Sequence, residues 1–183
     1  MAEETNMSSS DDAIGQGLQE LIAALKSEAG ASEGRGLPPV HLWNPDHCGD
    51  IGLAILRDGT WRHQGDPFQR EKIVKLFSTI LRKDPDGYYL VTPVEKIVVQ
   101  VEDAPFIVTR VEREGEGEAQ AIVATTNVGD VFVIDKDHPL RVETDPETGE
   151  PSPYAEVRAG LEARFSRPAS VSYTHLTLPT RLM

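Results

Sequence analysis

The stretch Ala54–Arg62, Ala-Ile-Leu-Arg-Asp-Gly-Thr-Trp-Arg, resembles a second stretch, Val133–Arg141, Val-Ile-Asp-Lys-Asp-His-Pro-Leu-Arg. The two align without a gap at a constant offset (141 − 62 = 79), and an Asp-Pro step follows each, at 66–67 and at 145–146. Asp58-Gly59 between apolar runs is typical of a hairpin turn. Each stretch predicts two short strands joined by a tight turn, with a helix after the Asp-Pro step. The sequence therefore predicts a duplicated ββα(β) unit, which defines an architecture but no chemistry.

Capping residues and apolar spacing predict where the helices lie. Asp66 and Pro67 suit an N-cap and a first helical position, and Pro85-Asp86-Gly87 would end that helix. The second helix is predicted at about 153–166, with Ser152 as its cap. Predicted strands are 88–92, 97–101, 106–111, 121–126 and 131–134. The expected core consists of Trp61, Leu76, Phe77, Ile80 and Phe106 in the first unit and Phe132, Leu140, Val157, Leu161 and Phe165 in the second. This mixture predicts the α+β class.

The chain divides into four segments. Residues 1–36 are polar and expected to be mostly disordered, although apolar residues at helical spacing predict a short helix at 13–26. The first repeat module is assigned to 37–112 and the second to 113–169.

The C-terminal segment 170–183 is set apart from the fold. Residues 171–180, Val-Ser-Tyr-Thr-His-Leu-Thr-Leu-Pro-Thr, resemble the translation of a transposon-derived sequencing adapter. We interpret 170–183 as a non-native scar and exclude it from the fold. A strand is expected just after Pro168, so its replacement would leave an open edge, expose part of the Phe165 face and lower stability.

Composition excludes several classes of function. The formal net charge is −12, which argues against binding to a nucleic-acid backbone. No apolar stretch approaches the roughly 20 residues that a membrane-spanning helix needs. The single cysteine, Cys48, permits no internal disulfide and is typical of a reducing compartment, so a cytoplasmic location is expected.

Several short motifs, taken together, resemble a known family. They are Asn-Pro at 44–45, Cys-Gly-Asp at 48–50, Arg-Asp-Gly-Thr-Trp at 57–61, Leu-Val-Thr-Pro-Val-Glu-Lys at 90–96, Val-Glu-Asp-Ala-Pro-Phe at 101–106, Thr-Asn-Val-Gly-Asp at 126–130, His-Pro-Leu-Arg-Val-Glu at 138–143 and Leu-Glu-Ala-Arg up to 164. From about Pro38 to Pro168 the chain resembles the bacterial "domain of unknown function 1285" family. The resemblance implies a duplicated core, a C-terminal half like a pleckstrin-homology domain, a nucleotide-like ligand between the halves and a signalling context. Gly52 departs from it, because an acidic residue is expected there.

No motif indicates catalysis or a resident cofactor. His41, His47 and Cys48 are grouped but irregularly spaced, so neither a metal site nor a catalytic residue is assigned, and Cys48 is expected to be a small core residue. His138 is expected to be a surface turn residue. The sequence holds no nucleophile elbow, P-loop or dinucleotide-binding glycine pattern. No cofactor is predicted.

Arginines in matching places give the best candidate ligand site. Arg62 and Arg141 occupy corresponding positions of the two copies, and Arg82 and Arg164 lie near the predicted helix ends. Forked guanidinium groups bind phosphate or carboxylate, and Trp61 or Trp43 would stack on a base. The alternative is structural: each arginine caps helix carbonyls or pairs with an acid of its own module.

Two functions remain open at this stage. In the first, the chain is a cytoplasmic module without turnover that senses a small anionic, nucleotide-like molecule between its halves. In the second, it is a non-catalytic adaptor whose pleckstrin-like half presents a groove or an edge strand to a protein partner. Neither nucleic acid nor a membrane is expected as a partner.

Overall fold

The computed structural model describes residues 37–93 and 95–177, with Ala23 before them. Apart from Ala23, the predicted helix at 13–26 lies outside the described residues, as do the last six residues of the chain. The strands are β1 His47–Ile55, β2 Trp61–His63, β3 Asp66–Pro67, β4 Leu81–Asp84, β5 Gly87–Val91, β6 Glu95–Val101, β7 Phe106–Glu114, β8 Ala121–Thr126, β9 Val131–Val133, β10 Leu140–Thr144, β11 Pro151–Arg158 and β12 Leu161–Phe165. The helices are α1 Glu71–Thr79 and α2 Arg167–Thr177, and short 3-10 turns lie at Val40–Leu42 and Gly117–Ala119.

The strands form two six-stranded sheets with the same topology. The order is β3-β2-β1-β6-β5-β4 in the first sheet and β10-β11-β12-β7-β8-β9 in the second. In each sheet the first strand of the module runs parallel to its last, β1 to β6 and β7 to β12, and all other neighbours are antiparallel. Residues after each closing strand also correspond, because Glu102 N donates to Ile55 O (3.0 Å) and Ser166 N donates to Val108 O (2.9 Å).

The chain is therefore duplicated and mostly β, but its repeat differs from the one predicted. Strands β1 to β6 correspond to β7 to β12, so Leu81-Arg82 at the start of β4 corresponds to Leu140-Arg141 at the start of β10. The aligned stretches 54–62 and 133–141 do not match, because the second begins at the end of β9 and ends inside β10. Their similarity is a coincidence of turn residues.

The helix predicted at 153–166 was wrong, since β11 and β12 occupy this segment. Ala159 and Gly160 join them as a two-residue turn in which both residues have positive φ (46° and 79°). Primed hairpin turns require this backbone. Val157, Leu161 and Phe165 are spaced by four, which is close to the helical period but also a multiple of the strand period of two. The spacing alone does not separate the two structures.

The first predicted helix was too long. Asp66 and Pro67 do not cap it but form the edge strand β3, in which they pair with His63 and Arg62. An edge position tolerates proline because its missing N–H faces away from the sheet. The helix begins at Glu71 and ends at Thr79, and Ile80 is its C-cap rather than an internal residue. Residues from Leu81 on form β4.

Residues after Phe165 form a helix, not the expected strand. The ring of Tyr173 on α2 meets Phe165 edge-on, with centroids 5.8 Å apart, and Ala169 is buried. Phe165 is only 3% exposed, so the expectation that the C-terminal segment leaves its face uncovered was wrong.

Buried side chains of both sheets form one continuous cluster. β7, which sequence reasoning placed in the first module, is a central strand of the second sheet and carries the buried Phe106. Two predicted core residues, Leu76 and Leu140, are only half-buried, and Cys48 is exposed. No helix within the described ranges is long and apolar enough to cross a membrane.

Candidate functional site

Two hairpin turns of the same construction lie at the junction of the modules. One, 56–60, joins β1 to β2, and the other, 126–130, joins β8 to β9. In each turn the first residue donates its N–H to the carbonyl of the fifth, over 2.9 Å. The fourth residue, Gly59 or Gly129, has φ of +88° or +93° and donates back to the carbonyl of the first. This geometry requires glycine at the fourth position.

The two turns contact each other through Asn127. Its backbone N–H donates to Ile107 O (2.8 Å), and its Oδ1 accepts from Ile107 N (3.1 Å). The bond to Oδ1 fixes the orientation of the amide, so Nδ2 points away from Ile107 N and remains available as a donor. A Cβ atom at Gly59 would lie 3.0 Å from this Nδ2 and 2.6 Å from Ile107 Cγ1. Backbone of the first module therefore touches side chains of the second without a gap.

A cavity of about 350 Å³ lies beside this contact. Residues of both modules line it, and they fall into an apolar group and a polar group. The apolar lining is Trp61, Phe68, Val74 and Val128. The polar lining is Thr60, Glu71, Lys75, Thr126 and Asn127, together with the turn residues Gly59 and Gly129. The cavity thus combines apolar and polar residues in similar numbers, and its volume is at the small end of the range for small-molecule sites.

One helix supplies both charged groups of the cavity. Glu71 is the first residue of α1 and Lys75 lies one turn later. Each has an exposed side chain, and neither forms an ion pair with a described residue. A Cβ atom built on Gly129 would lie 3.9 Å from Nζ of Lys75, so the lysine reaches from α1 to the opposite turn.

Trp61 lines the cavity and carries a buried donor without a partner among the described residues. The residue is 2% exposed, and its Nε1 has no hydrogen-bond partner within the described part of the chain. Its ring packs against Phe77, with centroids 6.2 Å apart, and Phe68 in turn meets Phe77 edge-on at 5.8 Å. A buried indole N–H without a partner is unusual, because the lost hydrogen bond to water costs free energy.

The structure places Arg62 and Arg82 apart from this cavity. Arg62 is exposed and makes one long hydrogen bond, from Nη1 to Gly65 O (3.4 Å). Arg82 binds Asp84 through Nε (2.7 Å) and donates from Nη1 to the carbonyls of Val40 (2.9 Å) and Trp43 (2.7 Å). Arg82 therefore links the segment 40–43 to the edge strand β4. The hydrogen bond from Arg82 also holds the pKa of Asp84 below its ordinary value.

Arg141 and Arg164 are also held by acids. Arg141 pairs with Glu143 and, from Nε over 2.8 Å, with Glu162. The hydrogen bond with Glu162 is the main cause of its raised pKa. Arg164 Nε lies 3.1 Å from Asp103 Oδ2, and its Nη2 donates to Arg57 O (2.7 Å) across the module junction. None of the four arginines lines the cavity of Trp61.

The two tryptophans have different surroundings. Trp61 lines the cavity, whereas Trp43 is half-buried against the core and accepts from Arg82 through its carbonyl. His138, expected to be a surface residue, is half-buried: its Nδ1 lies 3.0 Å from Glu156 O and its ring packs on Phe132.

Sequence reasoning missed most of the cavity lining. Lys75, Glu71 and Asn127 were not proposed as site residues, although Asn127 belongs to a turn motif noticed in the sequence. For Asn127, the signal in the sequence is a pair of five-residue turns, each with glycine at its fourth position. The two turns lie far apart in the sequence. Only the packing of the modules shows that they meet.

A second cavity, of about 420 Å³, lies between Arg57, Arg164 and α2. Ser170, Val171, Thr174 and His175 form one of its walls. These residues belong to the C-terminal segment 170–183, and we propose no function for this cavity. No group of three or more His, Cys, Asp or Glu residues within 37–93 and 95–177 is arranged to hold a metal ion.

Two similar six-stranded modules with a small cavity at their junction define a two-domain, mostly β protein. Residues 38–104 match the N-terminal domain of the domain of unknown function DUF1285, and residues 105–180 match the C-terminal domain of the same family. The second match includes most of the segment set apart above. The chain belongs to the DUF1285 family, in agreement with the resemblance seen in the sequence.

Solved structures of the family support this assignment. A DUF1285 family protein from Silicibacter pomeroyi is 49% identical, with 83% of each chain covered and a TM-score of 0.73. One from Shewanella baltica is 28% identical, with a TM-score of 0.55, and the match covers 68% of this chain and 91% of that chain. No curated protein matches the chain.

Proposed function

We propose that this chain is a ligand-binding module without turnover, which senses a small anion-bearing molecule in the cavity between its two domains. The cavity at the domain junction carries the proposal, because it combines the aromatic side chain of Trp61 with Lys75, which forms no ion pair with a described residue. A cation without an acid beside it suits the anionic group of a small ligand.

Lys75 is the cation of the proposed site. The arginines expected to bind a phosphate are engaged elsewhere with Asp84, Asp103, Glu143 or Glu162, or, for Arg62, lie exposed away from the cavity. Lys75 has no such acid within the described residues and reaches the turn of Gly129. One lysine and one amide donor fit a single anionic group better than a polyphosphate, which proteins bind with several cations or backbone N–H groups. We therefore narrow the proposed ligand from a nucleotide-like molecule to a compact molecule with one anionic group.

The proposed sensing mechanism depends on the location of the cavity between the two domains. Thr60, Trp61 and Lys75 belong to the first domain, and Asn127 to Gly129 belong to the second. A ligand that touches both stabilises their arrangement against opening, by an amount set by its concentration relative to its dissociation constant. We place this behaviour in a signalling rather than a metabolic context.

Thermal denaturation with defined anions tests the proposal. We expect 3-phenylpropanoate or AMP, at millimolar concentration, to raise the melting temperature of the chain. K75M should abolish the increase, while K72M, a change of an exposed lysine on the same helix outside the cavity, should retain it. The double variant R62A with R141A should also retain it. Loss in the double variant but not in K75M would move the site to the arginines, and no stabilisation by either anion would contradict the proposal.

An adaptor function is the second candidate, favoured by one observation. The edge strand β9 exposes Val131 (64%) and Val133 (38%) on either side of the buried Phe132. Exposed apolar edges can pair with an extended peptide. Replacing both valines by threonine should leave ligand stabilisation intact and reduce capture of protein partners. Unchanged capture would remove the support for this candidate.

A further inference from the structure

We propose that the ligand of the Trp61 cavity is a zwitterion, an α-amino acid with an apolar side chain, bound between Glu71 and Lys75. This inference rests on the proposed function and adds the chemical class of the ligand. The cavity offers charge of both signs within one helical turn, because Glu71 and Lys75 both line it. A simple anion would use only the lysine and would face repulsion from the glutamate.

The two charged side chains lie close enough on one helix to bind the two charged groups of one small molecule. Four residues of helix rise separate the Cα atoms of Glu71 and Lys75 by about 6 Å along the axis. Glutamate and lysine at this spacing often pair with each other on a helix. Here no ion pair joins them or joins either to another described residue. An amino acid supplies the ammonium for the one and the carboxylate for the other.

Asn127 adds a second hydrogen-bond donor to the one that Lys75 supplies. Asn127 presents Nδ2 beside Gly59, since its Oδ1 already accepts from Ile107 N. Lys75 lies beside Gly129, which belongs to the same turn as Asn127. A carboxylate has two oxygens and takes several donors, so Lys75 and Asn127 together suit it. Glu71, an acceptor only when ionised, suits an ammonium group.

The rest of the cavity fits an apolar side chain of limited size. Trp61 and Phe68 present aromatic rings, and Val74 and Val128 complete the apolar lining. A volume of about 350 Å³ holds one amino acid with its first waters and leaves little room for a dinucleotide. The fit favours leucine, methionine or phenylalanine over charged amino acids, whose side chains would lose hydration without a partner.

Calorimetric titration with a matched series of phenyl compounds and further probes tests the inference. The probes are L-phenylalanine, 3-phenylpropanoate (which lacks the ammonium group), 2-phenylethylamine (which lacks the carboxylate) and AMP, with L-leucine and L-methionine as further amino acids. We expect at least one amino acid to bind, and in the phenyl series L-phenylalanine to bind at least tenfold more tightly than 3-phenylpropanoate or 2-phenylethylamine. E71Q should remove the advantage over 3-phenylpropanoate, and K75M the advantage over 2-phenylethylamine. E118Q, an exposed change in the β7–β8 connection, is the control.

Two outcomes would overturn this inference alone, and a third would overturn the proposed function as well. Equal binding of L-phenylalanine and 3-phenylpropanoate, unaffected by E71Q, would overturn the zwitterion and leave an anion site. Tight binding of AMP with no binding of any amino acid would do the same. No binding of any probe would contradict both.

Discussion

Arg158 of the second domain donates from Nη1 to Asp130 Oδ2 over 2.8 Å and, from Nη2 over 2.6 Å, to the carbonyl of Ser78 at the end of α1. Asp130 closes the turn that forms one wall of the cavity, and α1 forms the other. The guanidinium group of Arg158 also lies over the ring of Phe106, with Cζ 5.1 Å from the ring centroid. The side chain of Arg158 therefore links the turn and the helix that form the two walls of the cavity.

Replacing Arg158 should loosen the domain junction. R158M keeps the apolar stem but leaves Asp130 and the Ser78 carbonyl without their charged donor, so we expect a loss of about 3 kcal/mol in the free energy of unfolding. For a chain of this size that corresponds to a melting temperature lower by roughly 6 to 12 °C. R110A, which removes an arginine whose side chain is 68% exposed, should cost under about 0.5 kcal/mol. Similar losses in both variants would show that Arg158 has no special role.

Gly59 should tolerate no side chain, for two separable reasons. Its φ of +88° strains any other residue, and an added Cβ would lie 2.6 Å from Ile107 Cγ1. Gly65 has the same backbone strain (φ +89°) but open space around it. G65A should therefore cost about 1 to 2 kcal/mol, and G59A about 1 to 3 kcal/mol more, in urea denaturation. Equal costs would mean that Gly59 is not packed tightly against Ile107 of the second domain.

Asp84 should contribute to the acid sensitivity of the fold. Arg82 and then Lys96, whose Nζ lies 2.6 Å away, hold the pKa of Asp84 below its ordinary value of 3.8. A lowered folded-state pKa means that the stabilisation is complete above about pH 4 and is lost as the pH falls through the folded-state value. D84N should therefore be less stable than the parent at pH 7, and the two melting temperatures should converge as the pH falls through that value. Parallel curves of melting temperature against pH for D84N and the parent would contradict this.

Local patterns predicted some of the fold. Asp58-Gly59 is a strong hairpin signal, and the turn lies where it was expected. The strand at 121–126 was predicted with the bounds that the structure shows. In both cases turn chemistry and β-branched residues agree, so no tertiary information is needed.

Other features depend on contacts that a local pattern does not contain. The segment 151–165 has apolar spacing compatible with both a helix and two strands, and the pairing with β7 and β10 favours strands. The four arginines were predicted as residues of one site, with capping or pairing to an acid of the same module as the alternative. The structure pairs Arg82 and Arg141 with acids of their own domains. Arg164 instead lies beside Asp103 of the first domain. The cavity combines residues from α1 and a distant turn, so its location follows only from domain packing.

Nuclear magnetic resonance of the Trp61 indole N–H tests the central claim most directly. The chain has two tryptophans, so W43F leaves a single indole resonance, that of Trp61. We expect this resonance to shift progressively and saturate as L-phenylalanine, L-leucine, L-methionine or 3-phenylpropanoate is added, because a ligand in the cavity changes the surroundings of the Trp61 side chain that lines it. The shift should vanish in W43F with K75M. Ligand binding detected by calorimetry without any change in this resonance would place the site elsewhere and contradict the account.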